Sequence, residues 1–233
     1  MKRINQTALR VILASLSLGT AIASWPAVAA QDAPPKVSKD GLELVKQTST
    51  RLVYKRPGAN FSQYKRVAIL DCAVEFSKDW LDNYNRSQRD PARRIGQKDL
   101  DRAKASLAAD FKRIFTDEIV NKGGYPLSEG AAPDVIVLRP ALINVQVSAP
   151  DLMAPGRSAT FVEQSGQMTL YLELWDSVTN TILARGMDAR GSADNYRQRS
   201  TSVSNKAAAE QIMQSWAVEL RKRLDLVTGK SAD

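Results

Sequence analysis

Val67-Ala68-Ile69-Leu70-Asp71-Cys72-Ala73-Val74-Glu75-Phe76 is the stretch from which the fold is read. At a period of two, one face carries Ala68, Leu70, Cys72, Val74 and Phe76, and the other Val67, Ile69, Asp71, Ala73 and Glu75. So continuous an apolar run suits a central strand covered on at least part of both faces. Downstream, Leu100, Ala103, Leu107, Phe111, Ile114, Phe115 and Ile119 recur at spacings of three and four, which predicts an amphipathic helix over 99–120. Asn121-Lys122-Gly123-Gly124 stops it, because glycine accepts the left-handed conformation that ends helices.

Further along, 134–147 reads as a strand interrupted at Pro140, where an edge or a bulge is expected. In 167–175, Met168, Leu170, Leu172 and Leu174 alternate with Thr169, Tyr171, Glu173 and Trp175. Asp176-Ser177-Val178-Thr179-Asn180 then turns the chain and 181–189 returns, making a β-hairpin. A closing helix begins at a Ser204 cap, shares one face among Ala209, Ile212, Met213, Trp216, Leu220 and Leu224, and ends at Gly229. Residues 42–54 supply a short edge strand before the turn Arg56-Pro57-Gly58. The predicted fold is α+β: a two-layer sandwich with a mostly antiparallel four- to five-stranded sheet and two long amphipathic helices on one face.

Upstream of this body, Lys2, Arg3 and Arg10 precede an uncharged apolar run, Val11 to Ala23. That run is shorter than the roughly twenty residues a spanning helix needs. Pro26 and then Ala27-Val28-Ala29-Ala30 complete the pattern of a cleavable signal peptide over 1–30, cut after Ala29 or Ala30. The expectation is export to the periplasm with no membrane span after cleavage. There is no lipid anchor either, because Ala30 and Gln31 stand where a lipidated cysteine would be needed. Residues 31–41 read as a disordered linker, 42–228 as a single domain and 229–233 as a flexible C-terminus.

The chain has 33 basic and 25 acidic residues. Three of the basic ones lie in the first thirty positions, so the exported chain keeps an excess of five. Such a balance favours loose attraction to anionic envelope polymer or lipid, and without a base-stacking motif it argues against nucleic acid. The absence of histidine removes Ser-His-Asp and Cys-His catalysis and the ordinary zinc sites, so no cofactor or metal is expected. Carboxylate chemistry is what remains to test. Asp71 and Glu75 would stand about 13 Å apart on one strand face, wider than the roughly 5–9.5 Å of paired glycosidase carboxylates. Glu163 is the other acid considered, and no catalytic residue is assigned. Cys72, the lone cysteine, reads as an inert core thiol. Lys122-Gly123-Gly124 follows a helix rather than preceding one, the wrong polarity for a phosphate loop.

The candidate binding surface is the polar segment 77–96, read as a loop of about twenty residues. It joins Trp80 and Tyr84 to Arg86, Arg89, Arg93 and Arg94, and arginine and aromatic side chains supply most interface hot spots; the plainer reading is that the two aromatics cover the sheet and the arginines are solvated. A second basic group, Arg197, Arg199, Arg221, Lys222 and Arg223, would suit an acidic polymer but reads more simply as a solvated helix face. These features favour a non-catalytic binding or assembly protein that uses the 77–96 segment, with an open sheet edge as a further route to an envelope partner. The competing reading is a carboxylate-dependent hydrolase acting on wall polymer or lipid.

Several segments together resemble the DUF3313 family of bacterial envelope lipoproteins of unknown function. They are Tyr54-Lys55-Arg56-Pro57-Gly58-Ala59, Phe61-Ser62-Gln63-Tyr64-Lys65-Arg66-Val67, Phe76 with Trp80, and Glu173-Leu174-Trp175-Asp176-Ser177-Val178-Thr179-Asn180 leading to Ile182-Leu183-Ala184. The resemblance covers about 41–227. It implies an envelope location and an α+β domain, with no catalytic residues to carry over. The chain departs from the lipoprotein pattern in lacking the lipidated cysteine, which favours a soluble form. The strand at 67–71 followed by a long helix is also similar, in fold alone, to accessory domains of envelope assembly proteins.

Overall fold

The computed structural model describes residues 33–146, 160–161, 167–191, 199–200 and 202–230. The signal segment 1–30, residues 31–32, the loop at 151–157, Glu163, Arg197, the tail 231–233 and the side chains of Arg199 and Ser204 lie outside the described residues. The fold is α+β with a mixed sheet of seven strands: β1 (Glu43–Gln47), β2 (Arg51–Lys55), β3 (Arg66–Ile69), β4 (Ala73–Phe76), β5 (Val135–Gln146), β7 (Gln167–Asp176) and β8 (Ile182–Gly191). A separate two-residue pair joins β6 (Thr160–Phe161) to β9 (Arg199–Ser200). The helices are α1 (Trp80–Ser87), α2 (Gln97–Thr116) and α3 (Ser202–Thr228).

The sheet order is β1-β2-β8-β7-β5, with β3 and β4 following one another along the outer side of β5. Both pair with β5 in parallel, and the other neighbours are antiparallel. The expected four or five strands become seven because two predicted strands are each divided. The 42–54 segment turns at Thr48, whose backbone N–H donates to the Arg51 carbonyl at 2.8 Å. The 67–76 run breaks opposite Pro140. Ile69 pairs with Leu138 and Ala73 with Ala141, so three residues face two. Leu70 N–H reaches the Leu138 carbonyl at 3.0 Å, so the backbone groups of Leu138, and by alternation those of position 140, are turned to this side. Proline has no N–H to offer there, and the ladder bulges. The bulge shifts the alternation by one residue, burying Val67 before it and Cys72 and Val74 after it.

Helices α2 and α3 share a core with β5, β7 and β8 that includes Phe111, Phe115, Ile119, Leu138, Leu170, Met213 and Trp216. The predicted stripe of α2 is the buried one, although its last turn, Asp117–Lys122, widens to a π-type turn before Gly123. Gly124 has φ +63°, and an added Cβ would meet Lys230 Nζ at 2.8 Å. Cys72 is buried in this core, where burial pushes its thiol up to about 12.

The edges are less open than expected. Val67 N–H donates to the Pro126 carbonyl and its own carbonyl accepts from Ser128 N–H, which covers the outer side of β3. On β1, Leu44 N–H reaches the Lys36 carbonyl at 2.8 Å, and Leu42 is fully buried. Residues 36–41 of the expected linker, together with Leu42, therefore form a turned arm against the sheet. At the other terminus, Lys230 of the expected flexible tail contacts the carbonyls of Gly123 and Gly124.

One carboxylate network fastens α3 to the sheet. Asp188 on β8 accepts from Arg51 (2.6 Å), from Arg190 and from the Trp216 indole (2.9 Å), while Glu219 on α3 also receives Arg51 and Arg190. Burial alone would raise the Glu219 carboxyl, but the hydrogen bond and charge of Arg51 hold it at about 2. A depressed carboxylate adds stability above its unfolded pKa and loses it as the pH falls through the folded value. Unfolding free energy should thus be level from about pH 5.5 to 8, where no histidine titrates. It should then fall below about pH 4.5, with Glu219 alone responsible for at most about 3 kcal/mol. Urea melts across this range check it; a step near pH 6.5 would contradict it.

Candidate functional site

The segment 77–96 is not a loop but an elbow made of helix α1 and a short 3₁₀ turn, Pro91–Arg93. Its geometry starts at the end of β4. The Trp80 ring lies 4.6 Å from that of Phe76 and 5.4 Å from that of Tyr84, the second contact stacked at 24°. Trp80, Ile95 and Leu100 are buried together, with Phe76, Leu81 and Tyr84 packed against them. An i, i+4 aromatic pair on a strand-anchored ring thus favours a helix that a four-residue apolar pattern does not announce.

Asn85 closes the elbow. Its side-chain amide donates to the Ile95 carbonyl and accepts from the Ile95 N–H, both at 2.9 Å, tying α1 to the residue before the Gly96 cap of α2. Asp90 caps the 3₁₀ turn by accepting from Ala92 N–H at 2.9 Å. Asn85→Ala should cost about 1–3 kcal/mol and speed amide exchange over 88–95 while the core of β5 and β7 stays protected. Unchanged exchange there would show that the elbow is held by packing alone.

The structure therefore divides the six candidate residues. Trp80 is buried and Tyr84 half-buried, so both build the platform rather than offering open aromatic faces. Arg86, Arg89 and Arg94 are exposed. Arg86 donates to the neutral Asn83 side chain at 2.6 Å. Arg93 lies 3.8 Å from Asp90. Arg89 and Arg94 have no ion pair among the described residues. Guanidinium groups on a braced helix and turn can grip carboxylate or phosphate oxygens in two-point fashion with little ordering left to do.

Most of the other candidates that the structure describes are ion-paired. Asp71 is paired with Lys112 at 2.6 Å and Glu75 with Lys104 at 3.0 Å, each drawn toward α2. In the second basic group, Arg221 is committed to Glu118 and Asp225 and Arg223 to Glu219. Among the described residues, cavities of about 290 and 530 Å³ are lined by a single acid, Asp117.

One charged cluster escaped the sequence. Glu173, on the strand face that alternates with Leu172 and Leu174, is only 5% exposed. It accepts from the Tyr171 hydroxyl (2.5 Å), the Trp175 indole (3.0 Å) and Arg185 Nε (3.0 Å), and Arg139 lies at 3.7 Å. Register places Tyr54, Arg185, Glu173 and Arg139 in one row across β2, β8, β7 and β5. Arg185 also pairs with Asp40 of the arm. Burial and the Glu173 hydrogen bond push the Tyr171 phenol up. The hairpin register could have revealed the Arg185–Glu173 pair; the covering arm could not have been foreseen.

Comparison with solved structures gives distant likenesses. A PelC dodecamer from Paraburkholderia phytofirmans is 14% identical, with a TM-score of 0.37 over 71% of this chain and 96% of that one. A Xanthomonas campestris protein assigned to DUF330 is 14% identical, with a TM-score of 0.39 over 76% and 91%. No curated protein matches the chain. The family model described as a protein of unknown function, DUF3313, matches residues 36–220, and the chain belongs to that family.

Proposed function

We propose that this chain is an exported, non-catalytic binding or assembly protein of the bacterial cell envelope that engages an anionic partner through the 77–96 elbow. In this reading the signal segment 1–30 is removed, the body is released into the periplasm as a two-layer sandwich with α2 and α3 on one face, and the partner is an envelope protein or polymer rich in acidic groups. The observation that carries it is the division of labour in the elbow. Aromatic packing and the Asn85 tie fix the backbone, and Arg86, Arg89 and Arg94 are left facing solvent.

Export is supported by the basic start, the short apolar run and the Ala-rich cleavage pattern. Among the described residues no helix is long and apolar enough to cross a membrane. A photoreactive residue at position 88 should capture an envelope component in living cells. The triple variant R86S/R89S/R94S should lower the adduct yield about tenfold, the scale of one to two interfacial arginine contacts. An undiminished adduct from a folded triple variant would refute the assignment.

A further inference from the structure

The elbow occupies one end of the domain, and the opposite end has a different surface. Strand directions place together the start of β3, the start of β5, the turn between β7 and β8, the end of β2 and the C-terminus of α3. Of the six large apolar side chains most exposed among the described residues, five lie there: Val37, Leu127, Val178, Leu226 and Val227, between 41% and 79% exposed. Val37 bridges to Glu43, Leu127 bridges to Val67, and Val178 sits in the hairpin turn. Isolated exposed apolar residues need no explanation; five at one end of a small domain do.

Charge at this end is lopsided. Lys36, Lys39, Lys55 and Lys65 have no carboxylate partner among the described residues, and Lys230 is held only by the carbonyls of Gly123 and Gly124 and the Tyr125 ring. Arg66 and Lys122 already neutralise Asp134 and Asp117, and Asp40 is held by Arg185. Among the described residues at this end, Glu43 and Glu129 are the exposed acids without an ion pair. The chain also enters here: the Pro35 carbonyl accepts from Tyr54 at 3.0 Å, and the 32 residues before Ala33 carry the apolar run Val11 to Ala23.

We propose that this end docks onto an anionic lipid surface, with Leu127, Val178 and Leu226 entering the headgroup region and the unpaired lysines meeting lipid phosphates. Apolar side chains mixed with lysine are the composition that interfacial attachment requires, since neither contribution alone holds a small domain for long. The entry point of the chain favours a bilayer over a second copy. On the export reading proposed above, the segment that enters the membrane is joined to the body at this end. The elbow then points away from the lipid, so the two proposals stand on opposite ends and fail separately.

The test uses the protein purified with the N-terminus it carries in the cell. An environment-sensitive dye is attached at Val178→Cys or, in a second sample, at Arg89→Cys; the buried Cys72 stays unlabelled. Vesicles of phosphatidylcholine with phosphatidylglycerol should shift the position-178 dye to the blue and leave the position-89 dye unchanged. L127S/L226S should weaken binding about tenfold, and high salt should weaken it further. No shift at 178, an equal shift at both positions, or a shift at 178 on concentrating the protein without lipid would overturn the proposal, the last in favour of self-association.

Discussion

Asp188→Ala is expected to lower the unfolding free energy by about 3–5 kcal/mol, a large share of the roughly 5–15 kcal/mol typical of a domain. The carboxylate is 13% exposed and carries Arg51, Arg190 and the Trp216 indole at once. Its loss leaves the two guanidinium groups with Glu219 as their one carboxylate and strands a buried indole N–H against the sheet. The effect should spread, because these contacts join β2, β8 and α3. Glu219→Gln should cost less, since Asp188 still answers both arginines and Glu219 is 31% exposed. Urea unfolding of the two variants gives the comparison, and near-equal small losses would show that packing of Met213 and Trp216 holds α3 unaided.

The second large effect belongs to the opposite face. Glu173→Ala should cost about 2–4 kcal/mol, because Tyr171, Trp175 and Arg185 lose a shared acceptor in a site of 5% exposure. Asp40 still holds Arg185, which keeps the loss below that at Asp188. The variant carries a distinguishing sign: amide exchange at Leu42 and Leu44 should accelerate, because the arm is tethered through Asp40 to the same guanidinium. Destabilisation without loosening of the arm would mean that the buried Leu42 anchors it instead.

Much of this architecture is legible in the residues themselves. The α2 stripe, the β7–β8 hairpin with its inward Met168, Leu170 and Leu172, and the α3 face through Met213 and Trp216 follow from local periodicity, which survives because each stripe meets the core. What was hidden depends on partners distant in the chain. Nothing within 67–76 signals its break, which is imposed by Pro140 on the neighbouring strand. Helix α1 arises from Trp80 and Tyr84 stacking on Phe76 and from Asn85 reaching Ile95, contacts too few to create a period. Nothing within 167–175 shows that Glu173 is enclosed, because Arg185, Arg139 and the Asp40 arm that surround it come from elsewhere in the chain. The arginines of the elbow were readable as a group and so was a sheet-covering role for Trp80 and Tyr84, whereas the helix that carries them was not.

The most direct trial of the account is a hydrogen-exchange footprint of the protein with and without the envelope component captured from position 88. Protection confined to 77–96 and strongest around Arg86, Arg89 and Arg94 is the predicted result. Protection located instead on the Tyr171–Arg185 face or along β1, with the elbow exchanging as in the free protein, would contradict it.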